Sequence, residues 1–146
     1  MKIQEVMKEI VAEFEGLGDA WEEKYEYVIA LGKELPTMND KLKTEDRLIK
    51  GCQSKVWLHA ELDDGRVIYH ADSDAIITKG IVALLLRVLS NQRPEEIVKS
   101  DLSFINKIGL KEHLTPTRAS GLVSLIRQMK IEAVKLGKLD TDVLGG

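Results

Sequence analysis

A β-hairpin near the middle of the chain is the feature that most limits the possible folds. Apolar and polar residues alternate over residues 56–62, which is typical of a strand with one buried face. Residues 63–65, Asp-Asp-Gly, are predicted as a turn in which glycine supplies the positive φ, and residues 66–70 as the return strand. Residues 48–49 are predicted to form a short additional strand. The chain is therefore expected to fold around a small antiparallel sheet.

Helical patterns are present on both sides of this hairpin. Two amphipathic helical segments precede it, and four further helical segments follow it. One of them, residues 75–91, is apolar on nearly every face, which is typical of a buried central helix. This order predicts a two-layer α+β domain in which helices pack against about three antiparallel strands. The predicted helices cover residues 3–15, about 20–34, 75–91, 94–99, 103–108 and 116–137.

Capping residues set the predicted starts of three helices. Asp19 is predicted to cap the second helix, with Glu22 completing a capping box. Asp74 is predicted to cap the central helix. Thr115 is predicted to cap the last helix, in which Pro116 takes the first position.

Length and charge narrow the class of protein. The 146 residues fit one domain, predicted over residues 1–137, followed by a flexible tail over residues 138–146. The net charge of −3 gives no sign of the basic face that nucleic-acid binding requires. The N-terminus lacks the apolar block of a signal peptide, and the longest apolar run, residues 81–86, is too short to span a bilayer. We therefore expect a cytoplasmic protein without a membrane or nucleic-acid partner.

Cys52 is the only cysteine in the chain, and its sequence neighbours suggest reactivity. The thiolate is the reactive form of cysteine, and nearby cations lower the pKa of a thiol. Lys50 and Lys55 could supply that charge, while Gly51 lets another molecule approach and allows an unusual turn. A single cysteine excludes an internal disulfide and is typical of a reducing compartment. The alternative is an inert buried thiol, because free cysteines are among the most buried residues.

Three segments carry a family resemblance. They read Gly-Cys-Gln-Ser-Lys-Val-Trp at 51–57, Asp-Ser-Asp-Ala-Ile-Ile-Thr-Lys-Gly at 72–80 and His-Leu-Thr-Pro-Thr-Arg-Ala-Ser-Gly-Leu at 113–122. In residues, order and spacing they resemble the SufE family of sulfur acceptors, which includes CsdE and serves iron–sulfur cluster assembly. The resemblance extends over residues 3–136 and makes an inert Cys52 a minor alternative.

The resemblance implies a SufE/NifU-like α+β fold and a role in sulfur transfer. A pyridoxal-phosphate cysteine desulfurase of the SufS or CsdA type would donate persulfide sulfur to Cys52, and this chain would stimulate that enzyme. The sulfur would pass to an Fe–S scaffold complex of the SufBCD type, so the chain is expected to be a sulfur-transfer partner more than an enzyme alone. No metal and no cofactor is expected on this chain, since the pyridoxal phosphate belongs to the partner. A monomer and a homodimer both suit this role.

Protection of a persulfide sets a further expectation for Cys52. We predict that its thiol points into a low-polarity recess in the free protein and moves outward to react. Gln53 and Ser54 could donate hydrogen bonds to the sulfur, or could simply begin the following strand. Gly51 is expected to shape the turn that carries the cysteine.

Charged residues in the two other matched segments are expected to surround this loop. Arg118 could stabilise a thiolate or persulfide by its charge, or could pair with a surface acid such as Asp74. Residues 72–74 are expected to border the cysteine loop, with helix capping as the main role of Asp74. His113 also lies in a matched segment, and no mechanistic role is predicted for it.

Three other functions compete with sulfur transfer. A non-carrying adaptor would bind the desulfurase without taking sulfur. A Cys–His hydrolase would need His59, His70 or His113 oriented against Cys52. A cluster scaffold would need more cysteine ligands than this chain has. His59 and His70 lie on adjacent predicted strands, but two histidines without a clear third ligand make a poor zinc site.

Overall fold

The computed structural model describes residues 2–52, 54–110, 114 and 116–139, apart from the side chains of residues 116–118. In this part of the chain, helices pack around one two-stranded antiparallel sheet, which confirms the predicted α+β class. Two short 3-10 turns, Asp40–Leu42 and Glu45–Arg47, interrupt the segment between the second helix and the sheet. The elements are α1 (Ile3–Glu15), α2 (Trp21–Glu34), β1 (Val56–Asp63), β2 (Arg66–Ser73), α3 (Ile76–Leu89), α4 (Pro94–Lys99), α5 (Phe104–Lys107) and α6 (Pro116–Gly137).

The predicted hairpin forms, but its turn is shorter and its strands are longer than predicted, because Asp63 belongs to β1 and β2 extends to Ser73. Its pairs run from Val56 with Ser73 to Asp63 with Arg66. Asp64 has φ 51° and Gly65 has φ 76°, as a tight two-residue hairpin turn requires. The open end of the hairpin, where Val56 pairs with Ser73, therefore lies next to the loop that precedes β1 and the start of α3.

The predicted third strand is wrong. Leu48 makes only an isolated antiparallel bridge to Trp57, supported by one hydrogen bond from the Ile49 N–H to the Val56 carbonyl at 2.8 Å. A 3-10 turn ends at Arg47, immediately before this pair, and the chain turns again at Gly51. Too few extended residues remain between the two turns to form a ladder.

α3 is the centre of the hydrophobic core, as its apolar sequence predicts. It packs against α1, α2 and β2, and eight of its fourteen residues are buried. α2 crosses it at Gly32 and Gly80, where the two backbones touch: a Cβ atom at Gly32 would lie 2.7 Å from the Gly80 nitrogen. The absence of two side chains therefore permits the close approach of the two helices.

Two of the predicted caps are wrong, and one cannot be compared. α2 begins after Ala20 and α3 begins after Ala75, and neither helix has a side-chain cap. Asp19 therefore lies one residue too early to cap α2, and the carboxylate of Asp74 is used by the cysteine loop instead. Pro116 does open α6, whereas Thr115 lies outside the described residues.

The remaining boundaries agree with the sequence within a few residues. α1, α4 and the end of α6 match the predicted ranges, while α3 and α5 are shorter than predicted.

Beyond α6, the Leu139 N–H donates to the Val134 carbonyl at 3.0 Å and its side chain packs on the core. Residues 140–146 lie outside the described part of the chain, so the predicted tail stays a prediction. None of the described helices has the length and apolar character needed to cross a membrane.

Candidate functional site

Cys52 lies in a tight loop that leads into β1. Gly51, the residue before it, has φ 88°, a conformation that favours glycine. A side chain at Gly51 would also begin 3.0 Å from the Ser124 hydroxyl oxygen on α6. The turn at Gly51 therefore has a conformation that favours glycine, and the approach to α6 is a second reason for glycine there.

Cys52 is partly exposed, and its thiol points inward, into a recess beneath the loop. Its Sγ lies 3.5 Å from the Gly121 carbonyl oxygen, which can accept the thiol proton. A cavity of about 30 Å³ adjoins the sulfur, and most of its lining is aliphatic. The lining residues are Cys52, Ser54, Val56, Thr78, Ile81, Gly121, Leu122 and Leu125.

This environment makes the resting thiol a weak nucleophile. Burial raises the pKa of Cys52 above its ordinary value, because the recess solvates the thiolate less well than water does. Lys50 and Lys55 are both exposed, and neither offsets that effect. The prediction that these lysines lower the pKa of the thiol is therefore wrong for this conformation.

Gly121 also belongs to the site, although no sequence pattern predicted its contact with the sulfur. It lies on α6, and a Cβ atom there would sit 3.2 Å from Cys52 Sγ and 3.3 Å from Cys52 Cα. Only glycine lets the cysteine loop settle against the helix without a shift of one or the other. The signal was present, because Gly121 belongs to the third matched segment, but the segment alone does not say which residue faces the sulfur.

Hydrogen bonds hold the two ends of the loop, and Cys52 packs against Gly121 between them. The Lys55 N–H donates to Asp74 Oδ1 at 2.9 Å, and the Asp74 N–H donates to the Lys55 carbonyl at 3.2 Å. Ile49 fixes the other end through its bond to Val56. The prediction that Asp74 mainly caps α3 is thus replaced by a role at the end of the cysteine loop.

Asp72 forms a buried ionic cluster behind the same loop. It is only 3% exposed, and its carboxylate lies 3.0 Å from Lys43 Nζ and 3.4 Å from Lys79 Nζ. Burial acts to raise the pKa of Asp72, but the bonds from Lys43 and the Ser73 N–H, with the two lysine charges, hold the pKa below its usual range. Lys43 also lies 5.4 Å from the centre of the Trp57 ring. The cluster therefore ties the 3-10 turns before the cysteine loop to the sheet and to α3.

The structure describes only some of the other predicted site residues. Ser54 lines the recess beside Cys52. Arg118 lies in the first turn of α6, three residues before Gly121, but its side chain is outside the described part. Gln53 and His113 lie outside the described residues altogether. Contacts of Gln53 and Arg118 with the sulfur stay predictions, and His113 has no predicted role.

Two histidines form a separate polar group on the exposed face of the hairpin. His59 and His70 are paired across the strands with ring centroids 5.9 Å apart, and both approach Glu61. Neither lines the recess that holds Cys52. Within residues 2–52, 54–110, 114 and 116–139, no cluster of three or more His, Cys, Asp or Glu side chains could hold a metal ion. The geometry thus gives no support to a hydrolase built from Cys52 and either of these histidines.

Comparison with known proteins adds three findings. The model of the SufE family, described as an Fe–S metabolism associated domain, matches residues 8–133. An uncharacterised SufE-like protein of Rhizobium meliloti is 43% identical over 132 residues, covering 87% of this chain and 94% of that protein. The solution structure of a hypothetical protein from Thermus thermophilus superposes with a TM-score of 0.75 at 22% identity, covering 90% of this chain and 95% of the other. The last of these shows a shared fold.

Proposed function

Because the chain belongs to the SufE family, we propose that it is a sulfur carrier of Fe–S metabolism in which Cys52 accepts persulfide sulfur. The donor is a pyridoxal-phosphate cysteine desulfurase, which this chain also stimulates, and the recipient is an Fe–S scaffold complex of the SufBCD type. The observation that carries the proposal is the placement of the only thiol of the chain in a small aliphatic recess beneath a loop. A compartment of the cytoplasmic kind suits this chemistry, because it keeps the thiol reduced.

The transfer is a thiol exchange in which no net oxidation occurs. The Cys52 thiolate attacks the terminal sulfur of the persulfide on the donor enzyme. The sulfur–sulfur bond of the donor breaks, the donor cysteine leaves as a thiolate, and Cys52 becomes a persulfide. A nucleophile of the recipient then takes the terminal sulfur and releases Cys52 as a thiolate. The pyridoxal phosphate acts earlier, on the donor, and this chain supplies only the accepting sulfur and its surroundings.

The recess is suited to hold the sulfur after transfer. Its volume of about 30 Å³ beside Sγ is close to the room that one small atom or one water molecule occupies. Aliphatic side chains from β1, α3 and α6 line that space and would limit the access of soluble thiols and oxidants. The stored terminal sulfur would therefore lie inside the protein, adjacent to Thr78 and Ile81.

Sulfur transfer requires that the Cys52 thiol be exposed instead of held in the recess. A neutral, half-buried thiol with a raised pKa attacks slowly, so Cys52 must move further outward into water or into the active site of a partner. The hydrogen bonds at Ile49 and Lys55 lie at the ends of the loop, so Cys52 could swing away from Gly121 while both of these bonds stay in place. Docking of the desulfurase would stabilise the outward conformation and so couple reactivity to the correct partner.

Alkylation of Cys52 tests this coupling. A bulky maleimide should label the isolated protein slowly, since the inward-facing, half-buried thiol hinders the reagent and disfavours the thiolate. A catalytically inactive desulfurase that still binds the chain should accelerate labelling, because the bound loop exposes the thiol. The rate is followed by mass spectrometry of the labelled chain. Fast labelling at equal rates with and without the desulfurase would contradict the protected-carrier proposal.

Replacement of Asp74 by alanine should loosen the same loop. The variant loses the acceptor for the Lys55 N–H but keeps the backbone bond from residue 74 to the Lys55 carbonyl. A hydrogen bond to a charged group contributes roughly 1.5–3 kcal/mol, less at an exposed site, so labelling of Cys52 without partner should rise by up to about tenfold. Asp19→Ala, at an exposed position between α1 and α2, is the matched control and should leave the rate unchanged. Equal rates for Asp74→Ala and wild type would show that Asp74 does not hold the loop.

A further inference from the structure

A groove of about 570 Å³ runs beside the cysteine loop. Its walls are residues 46–50, residues 58–60 of β1 and residues 124–132 of α6. At one end, Lys50 and Ser124 line it on either side of Gly51, so the groove reaches the residue next to Cys52. Whatever occupies this groove would therefore contact the loop that must open for sulfur transfer.

The backbone of β1 faces this groove with an uncovered edge. Val56 accepts the bond from Ile49 on the side away from β2, whereas Lys55 bonds to Asp74 on the side of β2. In an antiparallel strand the N–H and C=O groups of every second residue point to the same side. Ala60 and Leu62, which follow Val56 at even spacing, therefore direct their backbone groups away from β2.

The opposite edge of the sheet is already covered. On β2, the Val67 N–H donates to the Gln92 carbonyl at 2.8 Å, and the Asn91 N–H donates to the Val67 carbonyl at 2.7 Å. The Tyr69 N–H donates to Ser90 Oγ at 3.0 Å. Within the described residues, the edge of β1 has only the bridge between Leu48 and Trp57 at its beginning. An open edge of this kind is a template for an added strand.

The charges at the rim indicate the chemistry of the added strand. Lys50 and Arg127 are exposed, line the groove and make no ion pair in the part of the chain that the structure describes. Two acids, Asp46 and Glu132, also line it, but the positive charge of Arg47 acts on Asp46, and Glu132 accepts a hydrogen bond from Gln128. A chain of net charge −3 thus presents unpaired positive charge beside its cysteine loop, which complements carboxylates on a partner.

We propose that β1 receives an extended, carboxylate-bearing segment of the desulfurase as a third strand, paired at Ala60 and Leu62. This inference rests on the proposed function, since it assigns the docking surface of the sulfur donor. Backbone hydrogen bonds supply affinity in such strand addition, and side-chain pockets supply selectivity. The added segment would lie between β1 and α6, with its carboxylates toward Lys50 and Arg127, and would press on the loop at its Gly51 end.

Substitutions at Ala60 test the backbone pairing directly. Ala60→Pro removes an N–H that points away from β2, so the β1–β2 ladder is kept, and proline is tolerated at such edge positions. Affinity of the full chain for the desulfurase, measured by calorimetry, should fall by roughly tenfold, as expected for a lost edge hydrogen bond with a steric block. Ala60→Ser keeps the N–H and nearly the same volume, and should bind like wild type. Equal affinity of a folded Ala60→Pro variant would overturn the proposal.

Two further measurements keep the test independent of the folding of the proline variant. In the wild-type chain, hydrogen exchange of the Ala60 and Leu62 amides should slow when the desulfurase binds. In Lys50→Glu/Arg127→Glu, which changes only exposed side chains, binding should weaken and depend less on salt. Protection of the Ala60 amide in the isolated, dilute chain would show that the edge is already covered. Protection that rises with protein concentration in the absence of desulfurase would show that a second copy of the chain binds this edge. Each of these two results would overturn the proposal.

The inference and the proposed function can fail separately. Sulfur uptake by wild-type Cys52 with an unprotected Ala60 amide would reject the added strand and keep the carrier. Protection of Ala60 by the desulfurase without any sulfur on Cys52 would keep the strand and reject the carrier.

Discussion

Replacement of Cys52 by serine is expected to abolish sulfur uptake and to return the desulfurase to the rate that it has without this protein. A serine hydroxyl is far less acidic than a thiol and forms no persulfide, so the attacking and carrying atom is lost. The fold should persist, because the hydroxyl is smaller than the thiol and can still donate to the Gly121 carbonyl. Sulfide release by the desulfurase in the presence of reductant measures the stimulation.

A substitution far from the loop separates this chemical role from a general effect of mutation. Asp19 is exposed between α1 and α2, so Asp19→Ala should stimulate the desulfurase as well as wild type. If Cys52→Ser stimulated as strongly as Asp19→Ala, the chain would be an adaptor that carries no sulfur.

Replacement of Gly80 by alanine should have the largest effect on stability. A Cβ atom at this position would overlap the Val28 carbonyl oxygen and lie 2.7 Å from the Val28 carbonyl carbon, so α2 and α3 must separate. Overpacking of a core by one methyl group costs up to about 3 kcal/mol, and a clash with backbone belongs to the upper end of that range. We expect the free energy of unfolding to fall by about 3 kcal/mol and the melting temperature by roughly 10 °C. Denaturant titration followed by circular dichroism measures the change.

Gly16→Ala is the matched control for this prediction. Gly16 ends α1 with φ −67°, and a Cβ atom there would meet nothing closer than a carbonyl oxygen at 3.5 Å. This variant should be as stable as wild type, or more stable by up to about 1 kcal/mol, because alanine restricts the unfolded chain. If Gly80→Ala unfolded at the same denaturant concentration as Gly16→Ala, the close crossing of α2 and α3 would be contradicted.

The elements that could be predicted from the sequence are those set by local periodicity. The alternation of β1 and its Asp-Gly turn gave the hairpin, and the apolar length of α3 gave the central helix. The third strand failed because two extended residues satisfied the local pattern while turns on both sides stopped a ladder. Strand formation depends on such neighbours more than helix formation does.

The errors at the site came from contacts between distant segments. Asp74 has the residue type and position of a cap, but its carboxylate accepts the amide of Lys55, nineteen residues earlier. The pKa of Cys52 is raised where flanking lysines suggested the opposite, because the recess is completed by Gly121, sixty-nine residues later. Burial of this kind is a tertiary property, and no spacing within the cysteine segment could reveal it.

The intact mass of the protein after incubation with an active cysteine desulfurase and cysteine tests the carrier most directly. Wild type should gain one or more sulfur atoms, and the gain should be reversed by reductant and absent in Cys52→Ser. No gain in the presence of a desulfurase that binds the chain and turns over cysteine would contradict it, and Cys52 would then be a buried structural thiol.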